Sequence, residues 1–337
     1  MRHHVPILAA VVSSLALCAA PAKAQPPLVP DGVVWTVTPA FGQLGEGRDN
    51  VSGATCIGAV TARNVCLVVN DSARFAQFFT IAGQTIRSGP LVGISGTVPP
   101  SRITGTPNME GAAHDDRFFY VVTSKDRPSI PPQVDTDFLV ARFEPNISST
   151  PPAPPATIPG LEISDRFRTA LTGGLPVPGL TNQQIDRTNS DIQGIAITPG
   201  ASVRGPRVVN LGFRAPVIGG KAFIVSADAA SVFATSGTFT PTVTPVALGL
   251  NVGIRDLATV NDGILILGAS NRSVQQRHSL FLLQTDGQLK HLADIVEPTD
   301  RTAEALLVLL DDPEFYIVLL MFDGVANGGP LQYFVPR

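Results

Sequence analysis

Ten polar or charged residues lie next to short apolar runs, where their side chains are suited to binding or catalysis. They are Asp71, Glu110, Lys125, Asp126, Gln193, Arg214, Arg255, Asp256, Glu304 and Asp323. Carboxylates suit Ca²⁺, which takes six to eight oxygen ligands and accepts them from several loops. The candidate metal ligands are Glu110, Asp256, Glu304 and Asp323, and the first three are also the candidate catalytic residues. A bound metal would activate water or polarise a phosphoryl or acyl oxygen.

The same set allows two other interpretations. The candidates for ligand binding are Asp71, Lys125, Asp126, Gln193, Arg214, Arg255 and Asp323. The basic members could grip a carboxylate or phosphate, arginine in a bidentate manner. Alternatively, acids and bases neutralise one another in a ring of ion pairs that holds the structure in register. The sequence leaves the metal site, the anion site and the ion-pair ring open.

The clearest element that would position these side chains is a β-hairpin over residues 251–270. Two apolar runs flank residues 261–263, whose sequence Asn-Asp-Gly tolerates the positive φ of a tight turn. A hairpin starts and finishes at the same end. Arg255 and Asp256 are therefore expected to share one rim with the residues that follow the second strand.

Four more units of this design recur along the chain. The five units cover residues 50–71, 108–127, 191–216, 251–270 and 302–324. Such a repeat predicts an all-β protein, a single β-propeller of five or six four-stranded blades. The first strand of each blade would line a central channel, and the ten candidates would meet at its mouth. A β-sandwich or two smaller β domains is the alternative.

Counting through each hairpin predicts which residues face one another. Cys56 is expected to face Cys66, and Ser52 to face Asn70. By the same count Glu110 would face Lys125, and Glu304 would face Asp323. Since the chain carries an export signal, Cys56 and Cys66 are expected to form a disulfide that contributes about 2–3 kcal/mol. A pair of buried free thiols is the alternative.

Residues 1–24 have the features of a cleaved secretory signal. The apolar run at residues 5–20 is too short to span a membrane, and Ala-Lys-Ala at residues 22–24 fits the small-x-small cleavage rule. The mature protein is expected to begin at Gln25 and to be periplasmic or secreted. Cys18 allows a lipoprotein, although Leu17 before it is large for a lipobox. No other run is long enough to predict a membrane span.

The amino-acid composition limits the classes of molecule that the protein is expected to bind. The chain has 337 residues with 31 Gly, 30 Pro, 15% charged residues and a net charge of -3. Many turns and few charged faces are typical of all-β proteins. The absence of a basic footprint excludes a nucleic-acid partner. A monomer that binds a small anionic molecule or a protein partner is expected, with calcium as the one candidate cofactor.

The domain organisation is simple. Residues 25–48 are expected to form a lead-in segment with a closing strand, and residues 49–337 the propeller. A Pro-rich insertion is expected at about residues 127–160, followed by one clear helix over residues 164–171 with Ser164 as N-cap. Strands near Val33 and Leu331 are expected to pair in one blade and close the ring.

A set of short motifs resembles a bacterial family of propellers known as domain of unknown function 3616, similar in outline to the esterase-like domain of bacterial phytases. The motifs are Asn-Met-Glu-Gly-Ala at 108–112, Asp-Ile-Gln-Gly-Ile at 191–195, Gly-Phe-Arg-Ala-Pro at 212–216, Gly-Ile-Arg-Asp-Leu at 253–257, Ala-Glu-Ala-Leu at 303–306 and Phe-Asp-Gly at 322–324. They cover most of the mature chain in order. The resemblance implies a propeller and no established reaction. Gln193 departs from the Glu usual in the family, and Ala303 from the common Pro.

Two functions follow as hypotheses. The first is an exported binding module that uses a mixed-charge channel mouth. The second is a calcium-dependent hydrolase of phosphate esters, carboxyl esters or lactones. The chain has no G-x-S-x-G, H-E-x-x-H, C-x-x-C or P-loop motif. His114, His278 and His291 are expected at the surface, so a histidine-based triad is not predicted.

Overall fold

The computed structural model describes residues 26–42, 49–57, 65–71, 75–94, 108–124, 137–145, 158, 160–200, 205–270, 278–298 and 301–337. These residues form a five-bladed β-propeller, which confirms the predicted fold class. The signal segment, Lys125, Asp126 and most of the Pro-rich insertion lie outside the described residues. No helix in the described ranges is long and apolar enough to cross a membrane.

The first two blades are antiparallel meanders. The first blade consists of β1 (Thr36–Val37), β2 (Val51–Ile57), β3 (Val65–Asn70), β4 (Ala76–Ala82) and β5 (Thr85–Val92), in the order β2-β3-β4-β5-β1. The second blade consists of β6 (Met109–His114), β7 (Phe119–Thr123), β8 (Val140–Phe143) and β9 (Glu162–Ser164). β1 joins the first blade in parallel, as its fifth strand.

A connection with its own secondary structure leads to the third blade. It contains α1 (Arg166–Gly173) and a small ribbon of β10 (Leu175–Pro176) and β11 (Gln184–Ile185). The helix starts two residues later than predicted, because Ser164 ends β9 and Asp165 is the N-cap. The third blade consists of β12 (Asp191–Pro199), β13 (Arg207–Ile218), β14 (Lys221–Asp228) and β15 (Thr242–Val246), with a second short helix, α2 (Ala229–Val232), before β15.

The last two blades complete the ring. The fourth consists of β16 (Val252–Val260), β17 (Gly263–Ser270), β18 (His278–Gln284) and β19 (Leu289–Ile295). The predicted hairpin is the pair β16–β17, which turns at residues 261–262. The fifth consists of β20 (Thr302–Asp311), β21 (Phe315–Asp323) and β22 (Leu331–Pro336), with a 3₁₀ turn (Ala326–Gly328) before β22.

The core is divided among the blade interfaces. The described residues form five apolar clusters, and each cluster is shared mainly by two neighbouring blades, including the fifth and the first. The second strand of a blade is covered on both faces, so β3 and most of β17 are buried along their length. This explains why these strands have continuous apolar sequences instead of alternating ones.

The ring is closed differently from the sequence expectation. Residues 26–38, which we call the strap, run across three blades instead of adding a strand beside β22. Leu28 exchanges backbone hydrogen bonds with β19 and Val296 of the fourth blade, and Asp31 N–H donates to Gln332 O of the fifth. Thr36 and Val37 then pair with β5 of the first blade. The inner strands also close the circle themselves, because β2 contacts both β6 and β20.

The disulfide prediction is confirmed. Cys56 on β2 and Cys66 on β3 are cross-strand partners and are joined by a disulfide bond. Two other register predictions fail because the inner strand contains extra residues, whereas the predicted pair of Glu110 and Lys125 is not tested, since Lys125 lies outside the described residues. Asn70 pairs with Val51 instead of Ser52, and Asp323 pairs with Thr302 instead of Glu304.

Candidate functional site

One backbone irregularity recurs at the same place in every blade. The innermost strand carries a β-bulge two residues into the strand or close to it, so that one residue has no cross-strand partner. The bulged residues are Ser52, Glu110, Gln193, Arg255 and Glu304, which we call the ring residues. A bulge re-aims a side chain locally. Each ring residue is polar, and each is only 3–7% exposed.

The residue after each bulge explains how closely the blades approach one another. Gly53, Gly111 and Gly194 hold this position in the first three blades. A Cβ on Gly53 would lie 2.8 Å from Ala112 N, and one on Gly111 would lie 2.9 Å from Gln193 O. The absent side chain therefore lets the inner strands meet backbone to backbone. This contact brings the ring residues of neighbouring blades within reach of one another.

Glu110 and Gln193 form the first contact across a blade interface. Gln193 Nε2 donates to Glu110 Oε2 at 3.0 Å, and Asn108 Nδ2 donates to Glu110 Oε1 at 2.7 Å. Both carboxylate oxygens of Glu110 are thus engaged by amides. Gln193 Nε2 also approaches Asp191 Oδ1 at 3.4 Å. An ionised glutamate at position 193 would face these carboxylates without a proton to donate.

Arg255 and Glu304 form the second contact across a blade interface. Arg255 Nη1 donates to Glu304 Oε1 at 2.9 Å, and both side chains are under 10% exposed. A third pair lies within the third blade, where Arg214 Nη2 is 2.6 Å from Asp191 Oδ2. Ser124 Oγ donates to Asp191 Oδ1 at 3.0 Å. Hydrogen bonds therefore link the second blade to the third, and one ion pair links the fourth blade to the fifth.

Burial raises the pKa values of the two glutamates among the ring residues. It raises the pKa of Glu110 well above its ordinary value, and the nearby carboxylates of Asp71, Asp191 and Glu304 raise it further. Burial likewise raises the pKa of Glu304 to about 7, although the Arg255 charge opposes this shift. The carboxyl of Glu304 therefore exchanges its proton near neutral pH.

Asp256 does not join the ring. It occupies the position that glycine holds in the first three blades, and its carboxylate accepts hydrogen bonds from Leu257 N at 2.8 Å and Leu306 N at 2.7 Å. These bonds connect β16 with β20 of the next blade. Burial raises the pKa of Asp256 well above its ordinary value. The geometry makes Asp256 a link between two blades instead of a group at the channel mouth.

The remaining candidates lie around the ring. Asp71 follows β3, and Asp323 ends β21 and forms a bridge with Asn50. Both carboxylates raise the pKa of Glu304, so they are close enough to act on it electrostatically. Lys125 and Asp126 lie outside the described residues. The structure thus brings Glu110, Gln193, Arg255 and Glu304 into one ring, with the other described candidates around it, except for Asp256.

Sequence reasoning missed three contributors. Ser52 is a ring residue, but a lone serine in an apolar strand gives no signal unless the bulge is known. Asn108 donates a hydrogen bond to Glu110, and Asp191 lies close to the amide of Gln193. Each of them stands two residues before the ring residue that it contacts. Their position at the start of the matching motifs in the second and third units was the signal that could have found them.

Two of the three histidines, His114 and His278, differ from the surface prediction. His114 lines a cavity of about 40 Å³ further along the channel, where its Nδ1 lies 2.7 Å from Thr55 Oγ1 and burial lowers its pKa. His278 is fully buried against Glu297 in an outer strand. Only His291 is exposed as expected, and it contacts Asp294.

The ring residues do not fit the calcium site that the sequence allows. Within the described ranges, no three His, Cys, Asp or Glu side chains are placed to hold a metal ion. Amide or guanidinium donors already engage Glu110 and Glu304, and Ca²⁺ requires several free carboxylate or carbonyl oxygens. The ring residues are therefore suited to hydrogen bonding and proton exchange.

The fold and the ring define a five-bladed β-propeller with a polar channel mouth. No protein-family model matches the sequence, and no curated protein matches it. Solved structures with an overall likeness include an exo-beta-1,3-galactanase from Phanerochaete chrysosporium with galactose (10% identity, TM-score 0.47, 92% of this chain and 64% of that one). A glycosyl hydrolase from Bacteroides ovatus has 10% identity and a TM-score of 0.42 over 85% of this chain and 84% of that one.

A protein of unknown function from Dyadobacter fermentans is also similar, with 13% identity and a TM-score of 0.43 over 90% of this chain and 97% of that one. The present chain spans 64% of the length of the galactanase. These likenesses carry no argument about activity or ligand. The candidate function must therefore come from the ring itself.

Proposed function

We propose that this chain is an exported binding protein that takes a small ligand at the mouth of its central channel. The observation that carries the proposal is the recurrence of the bulge, which buries one polar side chain from every blade at the same place. Buried polar groups cost free energy unless they are hydrogen-bonded, so apolar residues would serve a purely structural channel better. Export is supported by the predicted signal segment and by the Cys56–Cys66 disulfide.

The ring favours a ligand that offers hydrogen-bond donors. Arg214 and Arg255 already carry the carboxylate partners Asp191 and Glu304, so neither presents a free guanidinium to the small anion expected from the sequence. Carboxylates outnumber these two arginines around the mouth. Hydroxyl or amine groups of a ligand would meet carboxylate oxygens there, and charge-assisted hydrogen bonds are the strong ones.

A thermal melt of the mature protein against defined probes tests this function. The probes are myo-inositol, spermidine, inorganic phosphate, and Ca²⁺ compared with EDTA. We expect a donor-rich probe to raise the midpoint, with about 2.7 kcal/mol of stabilisation at a hundredfold excess over Kd, and phosphate to have no effect.

Matched variants locate the binding. Glu110→Gln and Glu304→Gln should abolish the shift, whereas Glu314→Gln, at an exposed turn of the fifth blade, should keep it. A shift that survives both ring variants, or the absence of a shift with every probe, contradicts the proposal.

A second function is favoured by one observation, the pKa of about 7 at Glu304. A carboxyl that exchanges protons near neutral pH is suited to general acid–base catalysis. It supports hydrolysis of a phosphate ester, carboxyl ester or lactone without a step through a metal. Turnover of p-nitrophenyl phosphate, p-nitrophenyl acetate or a simple lactone, lost in Glu304→Gln, would establish it. Binding without any turnover would leave the binding protein as the answer.

A further inference from the structure

A second cavity lies between the strap and the fifth blade. Its volume is about 390 Å³, within the range of small-molecule pockets. The strap contributes Val33, Val34 and Trp35, and the fifth blade contributes Arg301, Asn327 and Leu331. No ring residue lines it. The cavity is therefore separate from the channel and exists only because the strap crosses the blade.

The apolar wall of this cavity is held in place by hydrogen bonds. Trp35 Nε1 donates to Gln332 Oε1 at 3.2 Å, and Gln332 Nε2 donates to Asp31 Oδ2 at 2.6 Å. These contacts fix the indole between the strap and β22, so its orientation does not have to be ordered when a ligand binds. Val34 beside it is 78% exposed, which leaves apolar surface open to solvent.

Arg301 supplies the positive charge of this cavity. Gly329 lies beside its guanidinium, and a Cβ there would be 3.3 Å from Arg301 Nη1. The glycine, with φ +45°, thus leaves room for the side chain. No carboxylate of the described ranges forms an ion pair with Arg301, unlike Arg337 in the same blade. A partly buried guanidinium beside apolar surface is a site for an anion.

We propose that this cavity is a second ligand site, which takes a small carboxylate with an apolar body. The planar fork of Arg301 matches a carboxylate in a bidentate manner. The apolar body lies against Trp35 and Val33. The charge of Arg301 distinguishes this site from the channel mouth, where carboxylates predominate.

The fluorescence of Trp35 provides a direct readout, because it is the only tryptophan of the chain. The mature protein is titrated with phenylacetate and with its neutral analogue phenylacetamide. We expect a saturable change with phenylacetate and at least tenfold weaker binding of the amide, since the amide has no charge and only one acceptor oxygen and cannot form the bidentate ion pair with Arg301. Equal affinity for both compounds, or no saturable change into the millimolar range, overturns the proposal.

Variants separate this site from its surroundings. Arg301→Gln should weaken phenylacetate binding at least tenfold. Arg87→Gln, an exposed arginine on β5 that does not line the cavity, should leave it unchanged. Glu304→Gln should also leave it unchanged, so failure of this site is distinguishable from failure of the channel proposal. If Arg301→Gln does not fold, the comparison of acid and amide on the native chain decides. Equal losses in all three variants overturn the proposal.

Discussion

At the scale of single residues, the ring keeps one geometry while its chemistry changes from blade to blade. Serine, glutamate, glutamine, arginine and glutamate occupy the same bulge, and their contacts are complementary: Gln193 donates to Glu110, and Arg255 donates to Glu304. A carboxylate beside another carboxylate would repel it. The side chains therefore form a coordinated set, and changing one residue alters the protonation of its neighbours.

The pH dependence of stability follows from Glu304. Its pKa is about 7 in the folded chain against 4.5 ordinarily, so the folded state binds more protons than the unfolded state between these pH values. The free energy of unfolding should therefore fall as the pH rises through this window, by up to about 3 kcal/mol. Urea unfolding at pH 5 and pH 8 measures this.

Glu304→Gln removes the titrating group and should reduce the fall between the two pH values. Glu314→Gln is the control, because the same chemical change at an exposed turn should retain the behaviour of the unmodified chain. An undiminished fall in Glu304→Gln would show that the carboxyl does not titrate in this range. Part of the decrease in unfolding free energy should remain in this variant, because burial also raises the pKa values of Glu110 and Asp256.

Residue identities were the most predictable part of the ring, and residue pairings the least. The unit repeats predicted that Glu110, Gln193, Arg255 and Glu304 meet at one channel mouth, together with six other candidates. Pairings were predicted by counting through each hairpin, and a bulge adds one residue to one strand only. β20 has two such irregularities, one at Glu304 and one between Val308 and Leu310, so Thr302, and not Glu304, faces Asp323. A pattern of period two cannot show where such a residue is inserted.

At the scale of strands, the bulge and the glycine after it act together in the first three blades. The bulge turns a side chain toward the channel, and the following glycine lets the next blade approach. The overall fold was predictable because the second strands have apolar sequences and the turns have Asn, Asp and Gly. The close approach was not, because it depends on contacts between blades that no local pattern contains.

Gly111→Ala tests this approach. The added Cβ would lie 2.9 Å from Gln193 O and 3.2 Å from Ile195 N, so β6 and β12 must move apart. We expect a loss of about 1–3 kcal/mol in the free energy of unfolding, as for other overpacked positions. Gly173→Ala at the end of α1 is the control, because nothing lies within 4 Å of its Cβ position. It should be neutral or stabilising by up to about 1 kcal/mol. Similar losses in both variants would contradict this account.

At the scale of the whole molecule, the propeller is closed by contacts of three kinds. Inner strands meet around the channel, an apolar cluster joins the fifth blade to the first, and the strap crosses the outside. The sequence predicted a strand near Val33 that pairs with one near Leu331. The strap instead shares its hydrogen bonds among three blades, and its sparse apolar pattern gave no sign of this division.

Removal of the strap should destabilise the ring without unfolding the blades. Backbone hydrogen bonds join the strap to neighbouring segments through Leu28, Asp31, Thr36 and Thr38. After the cost of ordering it, we expect a chain beginning at Ala40 to lose about 2–4 kcal/mol of unfolding free energy. A synthetic peptide of residues 26–38, added in trans, should restore part of the loss. An unchanged denaturation midpoint after truncation would refute this role.

The recurrent bulge has a consequence for how such a protein can be altered. Each ring side chain leaves the backbone at an equivalent point, and the strands that support it are fixed by separate apolar clusters. The five ring positions are therefore structurally equivalent, and the same strand geometry supports each of them. Substitution of one ring residue at a time could change the ligand specificity of the channel without other changes to the sequence. Each new side chain would need a hydrogen-bonding neighbour.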